Sequence, residues 1–240
     1  MTLDLRNPHA VLAAFESRPA DIFSVRLPGG RAPGGWERVA AQAKHFGTPI
    51  VEDERADPRR REREGGRAGP EASVKERAAI GLDALYRRDG EPGGLWLALD
   101  SIQDPHNVGS IFRSAAFFGV RGIVMTADRA APLSAVVYDV ASGGVEAVPF
   151  AIETNLRRAL EAAKAAGLWI LGSSEHAERG IEEIPRDRPW LLVLGNEEDG
   201  LRRLTLETCD EVCRVAPQGD AVTSLNVAVA AGILIATLAR

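Results

Sequence analysis

The sequence predicts an α/β protein built on a parallel sheet that helices cover on both faces. Its later strands are continuous apolar runs, of which 190–195 (WLLVLG) is the clearest, and strands buried on both faces of a parallel sheet have this composition. One-faced helical segments such as 154–167 alternate with these runs. A stretch without large apolar side chains, residues 52–73, separates them from a smaller unit. The predicted fold class is therefore α/β, with a small α/β domain first.

The first domain, residues 1–88, alternates helices and strands. Asn7 is a suitable N-cap for a helix that Pro8 begins, and Gly47 ends a second helix. Such alternation favours a parallel or mixed sheet. The predicted elements are a helix at Asn7–Ser17, a strand at Asp21–Leu27, a loop at Leu27–Trp36, a helix at 36–46 and a strand at Thr48–Val51.

In the segment 52–73 the only apolar side chains are alanines, and the segment includes an Arg/Glu-rich run. This composition cannot bury a core, so it predicts a flexible linker or loop. Helical character returns over Ala72–Arg88. The turn-rich stretch Asp89–Gly94 then marks the start of a second domain, residues 89–240.

The second domain repeats the pattern with longer strands. Parallel sheets of this kind bind ligands at the carboxyl ends of their strands, so the loops there are the places to look for function. The predicted strands are Leu95–Asp100, Gly122–Thr126, Leu168–Ser173, Trp190–Gly195 and Glu211–Val215, and the predicted helices are Asn107–Gly119, Thr154–Gly167 and Ser224–Ala239.

Composition excludes several classes of protein. With 45% apolar and 26% charged residues, the chain is globular rather than disordered. Its most apolar segment, Leu225–Leu238, contains Asn226 and predicts a buried helix rather than a membrane span. The N-terminus lacks the basic region of a secretory signal, so we expect a cytoplasmic protein.

Charge is unevenly distributed along the chain, whose formal net charge is −5. Residues 1–90 carry 16 basic and 14 acidic side chains, or +2, whereas residues 91–240 carry 13 and 20, or −7. Phosphate binding depends on local rather than total positive charge. Charge alone therefore neither supports nor excludes a nucleic-acid partner.

Three loops at strand ends carry the candidate chemistry. The first, Asp100–Ser114 (DSIQDPHNVGSIFRS), places Asn107 and Arg113 six residues apart, about 1.7 helical turns, so that both can reach the same end of one helix. The alternative is that Asn107 is an N-cap and Arg113 a surface arginine. The position of the loop directly after a strand favours function.

The second loop, Leu194–Leu201, begins with a glycine at the end of an apolar strand. Gly195 lets a ligand approach the backbone, and Asn196 and Glu197 offer an amide and a carboxylate there. The alternative is an acidic turn that Asp199 and Gly200 bend.

The third loop, Ala216–Ala230 (APQGDAVTSLNVAVA), leads into a helix that is apolar on most of its circumference. Ser224 and Asn226 lie at the mouth of this helix, where polar groups need partners. Ser224 could simply cap the helix. We expect Asn226 to be buried, and capping by Ser224 does not explain a buried amide.

Several familiar site patterns do not occur in this sequence. It contains neither GxGxxG nor GxxxxGK[ST]. Cys209 and Cys213 lack a second pair at metal-ligand spacing, so we expect reduced, buried thiols and no metal. The histidines are scattered, and His106 in the first loop is interpreted as part of the turn.

In this order, NVGSIFRSAAFFGV, LVLGNEEDGL and APQGDAVTSLNVAVAAGILI resemble the three motifs of the SpoU/TrmH family, RNA ribose 2′-O-methyltransferases of the SPOUT class. The resemblance covers residues 95–240. The preceding segment is similar to the ribosomal-protein-like RNA-binding domain of rRNA-modifying members. The resemblance implies a SPOUT sheet with a C-terminal trefoil knot, S-adenosyl-L-methionine as cofactor, a homodimer through the C-terminal domain, and structured RNA as substrate, rRNA first and tRNA second.

The resemblance also implies roles for single residues. Arg113 would activate the ribose hydroxyl, but an arginine is almost always charged, so we expect it to stabilise the developing alkoxide and hold the adjacent phosphate. Asn107 would orient Arg113 or the ribose. The family's functional polar positions match Asn107, Arg113, Glu197, Ser224 and Asn226, and cofactor-binding positions are expected at Ser173, Leu194, Gly195, Asn196, Gly200, Val215, Ala216, Pro217, Ser224, Leu225 and Asn226.

Some positions depart from the family pattern. Glu198 stands where the second motif has a glycine, and the third motif contains Gln218 and Asp220 where the family has methionine and glycine. The added negative charge motivates an alternative function, a catalytically inactive RNA-binding protein of the same fold. A generic nucleotide-binding α/β domain without a knot is a further alternative.

Overall fold

The computed structural model describes residues 1–29, 32–53, 69–88, 93–196, 199–221 and 224–239. In these ranges the chain forms one sheet of four strands and one of seven, with helices packed against both. The predicted α/β class is confirmed.

The N-terminal unit has a mixed sheet, as predicted. It consists of β1 (Thr2–Leu5), α1 (Pro8–Ser17), β2 (Ile22–Pro28), α2 (Trp36–Phe46), β3 (Ile50–Asp53) and β4 (Glu71–Lys75). Its strand order is β1-β4-β2-β3, with β4 antiparallel to both neighbours and β2 parallel to β3. Asn7 caps α1 by accepting a hydrogen bond from the His9 amide, and Gly47 ends α2 with a φ of 69°.

The predicted flexible linker is wrong at its two ends. Residues 52–53 belong to β3 and residues 71–73 belong to β4. The part from 54 to 68 lies outside the described residues.

The helix predicted over Ala72–Arg88 is also wrong. Its first part is strand β4, and one short helix, α3 (Leu82–Leu85), follows. Ala72 and Val74 are fully buried while the residues between and beside them are more exposed. This period-two burial in the middle of a sheet outweighs the helical propensity of the sequence.

The C-terminal unit has a seven-stranded parallel sheet within the described residues. Its elements are β5 (Leu95–Leu99), α4 (Pro105–Phe117), β6 (Gly122–Thr126), α5 (Ala135–Ala141), α6 (Gly144–Ala147), β7 (Phe150–Glu153), α7 (Leu156–Ala165), β8 (Trp169–Ser173), β9 (Arg179–Gly180), β10 (Trp190–Leu194), α8 (Arg203–Thr208), β11 (Glu211–Arg214) and α9 (Val227–Leu238). The strand order is β7-β6-β5-β10-β8-β11-β9, and every pair is parallel.

All five strands and all three helices predicted for this unit are present. The prediction missed β7, β9, α5, α6 and α8, which have at most seven residues each. Elements this short hold no more than two helical turns or four strand positions, so their hydrophobic period is hard to recognise.

The sheet is covered on both faces, as predicted. Leu97 and Leu99 of β5 lie in one hydrophobic core, while the alternating residues Trp96 and Ala98 lie in a second core on the opposite face. The first core continues into the N-terminal unit and includes Phe15 of α1. No helix in the described ranges is long and apolar enough to span a membrane.

Candidate active site

Four neighbouring strands end at the edge of the sheet where the candidate loops lie. These are β5, β10, β8 and β11, which are adjacent in the strand order. Because their strands are parallel, the loops that follow them meet at one edge. The first loop follows β5, the second follows β10 and the third follows β11.

A cavity of about 930 Å³ opens at this edge. The second and third loops, the end of β8 and the start of α9 form its walls. All eleven positions expected to bind the cofactor line it, namely Ser173, Leu194, Gly195, Asn196, Gly200, Val215, Ala216, Pro217, Ser224, Leu225 and Asn226. Residues from three separate stretches of sequence therefore meet around one space.

The second loop folds back tightly on itself. Asn196 and Gly200 exchange backbone hydrogen bonds of 3.1 and 3.0 Å, and Gly200 has a φ of 66°, which suits glycine. A β-carbon on Gly195 would lie 2.3 Å from the carbonyl carbon of Gly200. Only glycine fits at position 195 in this backbone. Glu197 and Glu198 lie outside the described residues.

The first loop differs from one interpretation of its sequence. The N-cap of α4 is Asp104, whose side chain accepts a 2.8 Å hydrogen bond from the His106 amide. The alternative that Asn107 is the N-cap is therefore wrong. Asn107 lies in the first turn of α4 and is buried, with 7% of its surface exposed.

The third loop is held by Asn226 rather than by Ser224. Asn226 is the N-cap of α9, and its Oδ1 accepts hydrogen bonds from the amides of Ala228 (2.9 Å) and Val229 (3.3 Å). The alternative of a Ser224 cap is wrong. The expectation that Asn226 is buried is also wrong, because it is exposed at the mouth of the cavity.

Two asparagine side chains tie the three loops together. Asn196 Nδ2 donates to the carbonyl oxygen of Ser101 at 2.8 Å, joining the second loop to the first. Asn226 Nδ2 donates to Asn107 Oδ1 at 3.0 Å, joining the third loop to the first. Amide groups suit these links because each carries both a donor and an acceptor.

Arg113 lies apart from the cavity of its own chain. It is exposed on α4, it does not line the cavity, and it forms no hydrogen bond or ion pair with any described residue. The rise of an α-helix puts it about 9 Å beyond Asn107 along the axis. Beside it, Ser114 Oγ lies 4.0 Å from the position a β-carbon on Gly232 would take, so α4 and α9 run close together here.

Several cavity residues were missed by the sequence prediction. They adjoin predicted positions and are polar residues at strand ends, which is the signal that could have identified them. These are Ser174, Glu175, His176, Asp199 and Arg214. Arg214 stands out because its Nε is buried without a hydrogen-bond partner among the described residues.

The prediction of buried thiols is confirmed for Cys213 and only in part for Cys209. Both are free, Cys213 is fully buried, and Cys209 is partly buried. Burial, followed by the nearby Glu211 carboxylate, raises the pKa of Cys213 to about 12, so it contributes a neutral wall to the cavity. Among the described residues, no group of three His, Cys, Asp or Glu side chains is placed to hold a metal ion.

Comparison with known sequences identifies relatives of this chain. Residues 94–236 match the SpoU rRNA Methylase family. The 23S rRNA (guanosine-2'-O-)-methyltransferase RlmB of Pseudomonas aeruginosa is 34% identical over 236 residues, which is 97% of this chain and 94% of that protein. The RlmB of Nitrosomonas europaea is 44% identical over 160 residues, which is 67% of this chain and 61% of that protein.

Solved structures share the fold. The SpoU methyltransferase AviRb from Streptomyces viridochromogenes superposes with a TM-score of 0.79 at 23% identity, covering 100% of this chain and 89% of that one. An AdoMet-bound rRNA methyltransferase from Sinorhizobium meliloti superposes with a TM-score of 0.77 at 23% identity, covering 99% and 86%.

The family match spans more than half of the sequence, and the Pseudomonas relative exceeds 30% identity along nearly all of it. The resemblance inferred from the three motifs is confirmed. The chain belongs to the SpoU rRNA methylase family.

Proposed function

We propose that the protein transfers a methyl group from S-adenosyl-L-methionine to a ribose 2′-hydroxyl of ribosomal RNA. The observation that carries this proposal is the convergence of all eleven expected cofactor positions on one cavity. The relatives named above act on a guanosine of 23S rRNA by their names, which supports rRNA over tRNA and a guanosine as the target.

The cavity suits this cofactor. Its volume of about 930 Å³ lies at the upper end of the range for small-molecule sites. The folded-back second loop presents backbone rather than side chain at Gly195, where backbone donors and acceptors can hold an adenine ring. Arg214 offers a cation with an unpartnered buried nitrogen, and the carboxylate of the cofactor is an anion that it could neutralise.

The cofactor, when bound, supplies a methyl group on a positively charged sulfur. The chain must align the ribose oxygen with that methyl group and favour loss of the hydroxyl proton. Arg113 would hold the phosphate beside the ribose and stabilise the charge that develops on O2′. The hydrogen bond between the side chains of Asn107 and Asn226 would hold the start of α9 against α4 beside the cavity.

We infer that the working form is a homodimer, since Arg113 does not reach the cavity of its own chain. On α9, Val229 and Ile233 lie one turn apart and are 52% and 38% exposed, and Leu225, just before the helix, is 49% exposed. Phe117, one turn after Arg113 on α4, is 82% exposed. Such a patch favours association of a second copy, which would bring its Arg113 to this cavity.

The remaining expectations are part of the same proposal. The C-terminal segment that contains the second and third loops would form the trefoil knot, residues 1–88 would bind the substrate RNA, and the protein would work in the cytoplasm. The shared fold supports the first of these.

Incubation with radiolabelled cofactor and unmodified ribosomal RNA tests the proposal. We expect label in a 2′-O-methylated guanosine of the large-subunit RNA. Absence of label with folded protein would argue for the alternative, an inactive RNA-binding protein. Calorimetry separates the two further, because the inactive protein need not bind the cofactor at all.

A further inference from the structure

The N-terminal unit is docked against the C-terminal unit through α1, α5 and α6. Asp139 of α5 accepts hydrogen bonds at its Oδ1 from the backbone amides of Arg6 (2.9 Å) and Asn7 (2.8 Å). Asn7 Nδ2 donates back to the carbonyl oxygen of Asp139 at 2.7 Å and to Ser142 Oγ at 2.8 Å. These bonds fix the start of α1 to the end of α5.

An ion pair closes the other end of the same contact. Arg18, just after α1, donates from Nη2 to Glu146 Oε1 (2.6 Å) and from Nε to Glu146 Oε2 (2.8 Å). The side chains are only 13% and 3% exposed, and a two-pronged geometry of this kind is the strongest form of the pair. We call Arg18 and Glu146 the docking ion pair.

Between these two attachments, Ser142, Gly143 and the first residue of α6, Gly144, separate α1 from α4, and we call this segment the 142–144 turn. On one side, a β-carbon on Gly143 would lie 2.9 Å from Cβ of Ala13 in α1. On the other side, a β-carbon on Gly144 would lie 2.6 Å from the carbonyl oxygen of Phe112 and 2.9 Å from the backbone nitrogen of Arg113. The turn therefore touches α1 and the backbone of α4 at the same time.

Protein interiors transmit displacement, because they are close-packed and hardly compressible. A shift of α1 relative to the turn must move the 142–144 backbone or open a gap beside it. The nearest backbone on the far side is that of Phe112 and Arg113. The part of α4 that carries the exposed Arg113 side chain is thus supported from the N-terminal unit.

We propose that the N-terminal unit positions Arg113 for catalysis, with Arg18 and Glu146 as positioning residues that act through the 142–144 turn. This rests on the proposed function and adds to it: the N-terminal unit is a part of the catalytic geometry as well as a place for RNA to bind. Neither residue of the docking ion pair touches the cavity.

Three variants of the 240-residue chain test this proposal. Arg18→Ala removes the docking ion pair, and Arg18→Lys keeps the charge without the two-pronged geometry, in case the first variant does not fold. Ala13→Leu pushes on Gly143 from α1 without changing the C-terminal sequence. The matched control is Arg157→Ala, which removes an exposed ion pair with Glu161 on α7.

Steady-state methyl transfer and calorimetry give the main readouts. We expect kcat to fall at least tenfold in Arg18→Ala and Ala13→Leu, while the Kd for the cofactor changes less than twofold. In the control Arg157→Ala, neither kcat nor Kd should change more than twofold. Faster hydrogen exchange at the amides of α1 and of residues 144–148 shows that a variant has loosened the contact between the two units. If such a variant keeps a kcat within twofold of wild type, the proposal is overturned.

A double-mutant cycle shows whether the effect passes through Arg113. In an Arg113→Lys background with residual activity, adding Arg18→Ala should lower kcat by less than twofold. A further tenfold loss there means that Arg18 acts on something else and overturns the proposal.

Hydrogen exchange keeps this inference separate from the proposed function. If the wild-type protein transfers no methyl group, the proposed function fails. The hydrogen-exchange rates of the amides of residues 112–114 then still test whether the docking ion pair positions this part of α4. Faster exchange at these amides in Arg18→Ala supports transmission from the docking ion pair to α4. Unchanged exchange overturns it.

Discussion

Asn226 Nδ2 lies 3.0 Å from Asn107 Oδ1, and this hydrogen bond joins the third loop of the C-terminal unit to the first. The same Asn226 side chain caps α9 through its Oδ1. One residue thus sets the start of the last helix and fixes it to the helix that carries Arg113. The link connects two motifs that are 119 residues apart in the sequence.

Asn226→Asp separates these two tasks. Aspartate caps helices as well as asparagine does, so α9 should remain intact, but its carboxylate cannot donate to Asn107. We expect methyl transfer to fall at least tenfold, while the melting temperature falls less than in Asn226→Ala, which also loses the cap at a cost of about 1 kcal/mol. Full activity in Asn226→Asp would show that the link to Asn107 is dispensable.

Gly195→Ala should close part of the cavity. The added carbon would lie 2.3 Å from the backbone of Gly200, and a backbone cannot move aside as the end of a side chain can. We expect destabilisation of about 1–3 kcal/mol, as for other overpacked sites, and a cofactor Kd raised at least tenfold. Urea unfolding and calorimetry measure the two effects.

Gly219→Ala is the matched control for this change. Gly219 also lines the cavity, but nothing lies within 4 Å of the position its β-carbon would take. Its stability should stay within about 0.5 kcal/mol of wild type. Equal losses in both variants would mean that crowding at Gly195 is not the cause.

Arg113→Ala should abolish most activity and leave the cofactor site intact. Loss of one group that stabilises transition-state charge typically lowers kcat about 10²–10³-fold. Because the role proposed for Arg113 is toward the phosphate and O2′ of the RNA rather than toward the cofactor, cofactor Kd should change by less than about twofold. Weakened cofactor binding, measured by calorimetry, would contradict the role assigned to Arg113.

The sequence predicts the long elements of the fold well and the middle of the N-terminal unit poorly. Strands such as β10 and helices such as α7 have enough residues to show their period. The stretch Ala72–Arg88 has helix-favouring composition, yet β4 forms there because it pairs with β1 and β2 on both sides. Pairing between distant segments leaves little trace in a local pattern.

For the site, glycine and strand-end position carry most of the information. Gly195 and Gly200 could be identified from the sequence, because a glycine-containing loop directly after an apolar strand has few interpretations other than a tight turn or a site where a ligand approaches the backbone. The link between Asn107 and Asn226 could not be predicted, since no local pattern relates two residues that are 119 positions apart in the sequence. The position of Arg113 outside the cavity depends on the packing of α4 beside α9, which no local pattern records.

Asp139 provides a pH-dependent test of the contact between the two units. Burial raises its pKa above the ordinary 3.8, and the amides of Asn7 and Arg6 offset only part of this. Because the folded-state pKa is the higher one, the stability this carboxyl contributes is fully present below about pH 4 and is lost as pH rises through the folded-state pKa. Asp139→Asn removes the ionisation but keeps an Oδ1 that can accept both amides.

At pH 7 we therefore expect Asp139→Asn to be at least as stable as wild type, with its advantage shrinking as pH falls towards 4. The free energy of unfolding of Asp139→Ala should be about 1 kcal/mol lower than that of wild type at pH 7, because the backbone amides of Arg6 and Asn7 lose their acceptor. The loss stays this small because the exposed Arg6 amide can donate to water instead. Urea unfolding of the three proteins between pH 4 and 8 measures these differences. A loss in Asp139→Asn as large as in Asp139→Ala would mean that the negative charge itself stabilises the contact.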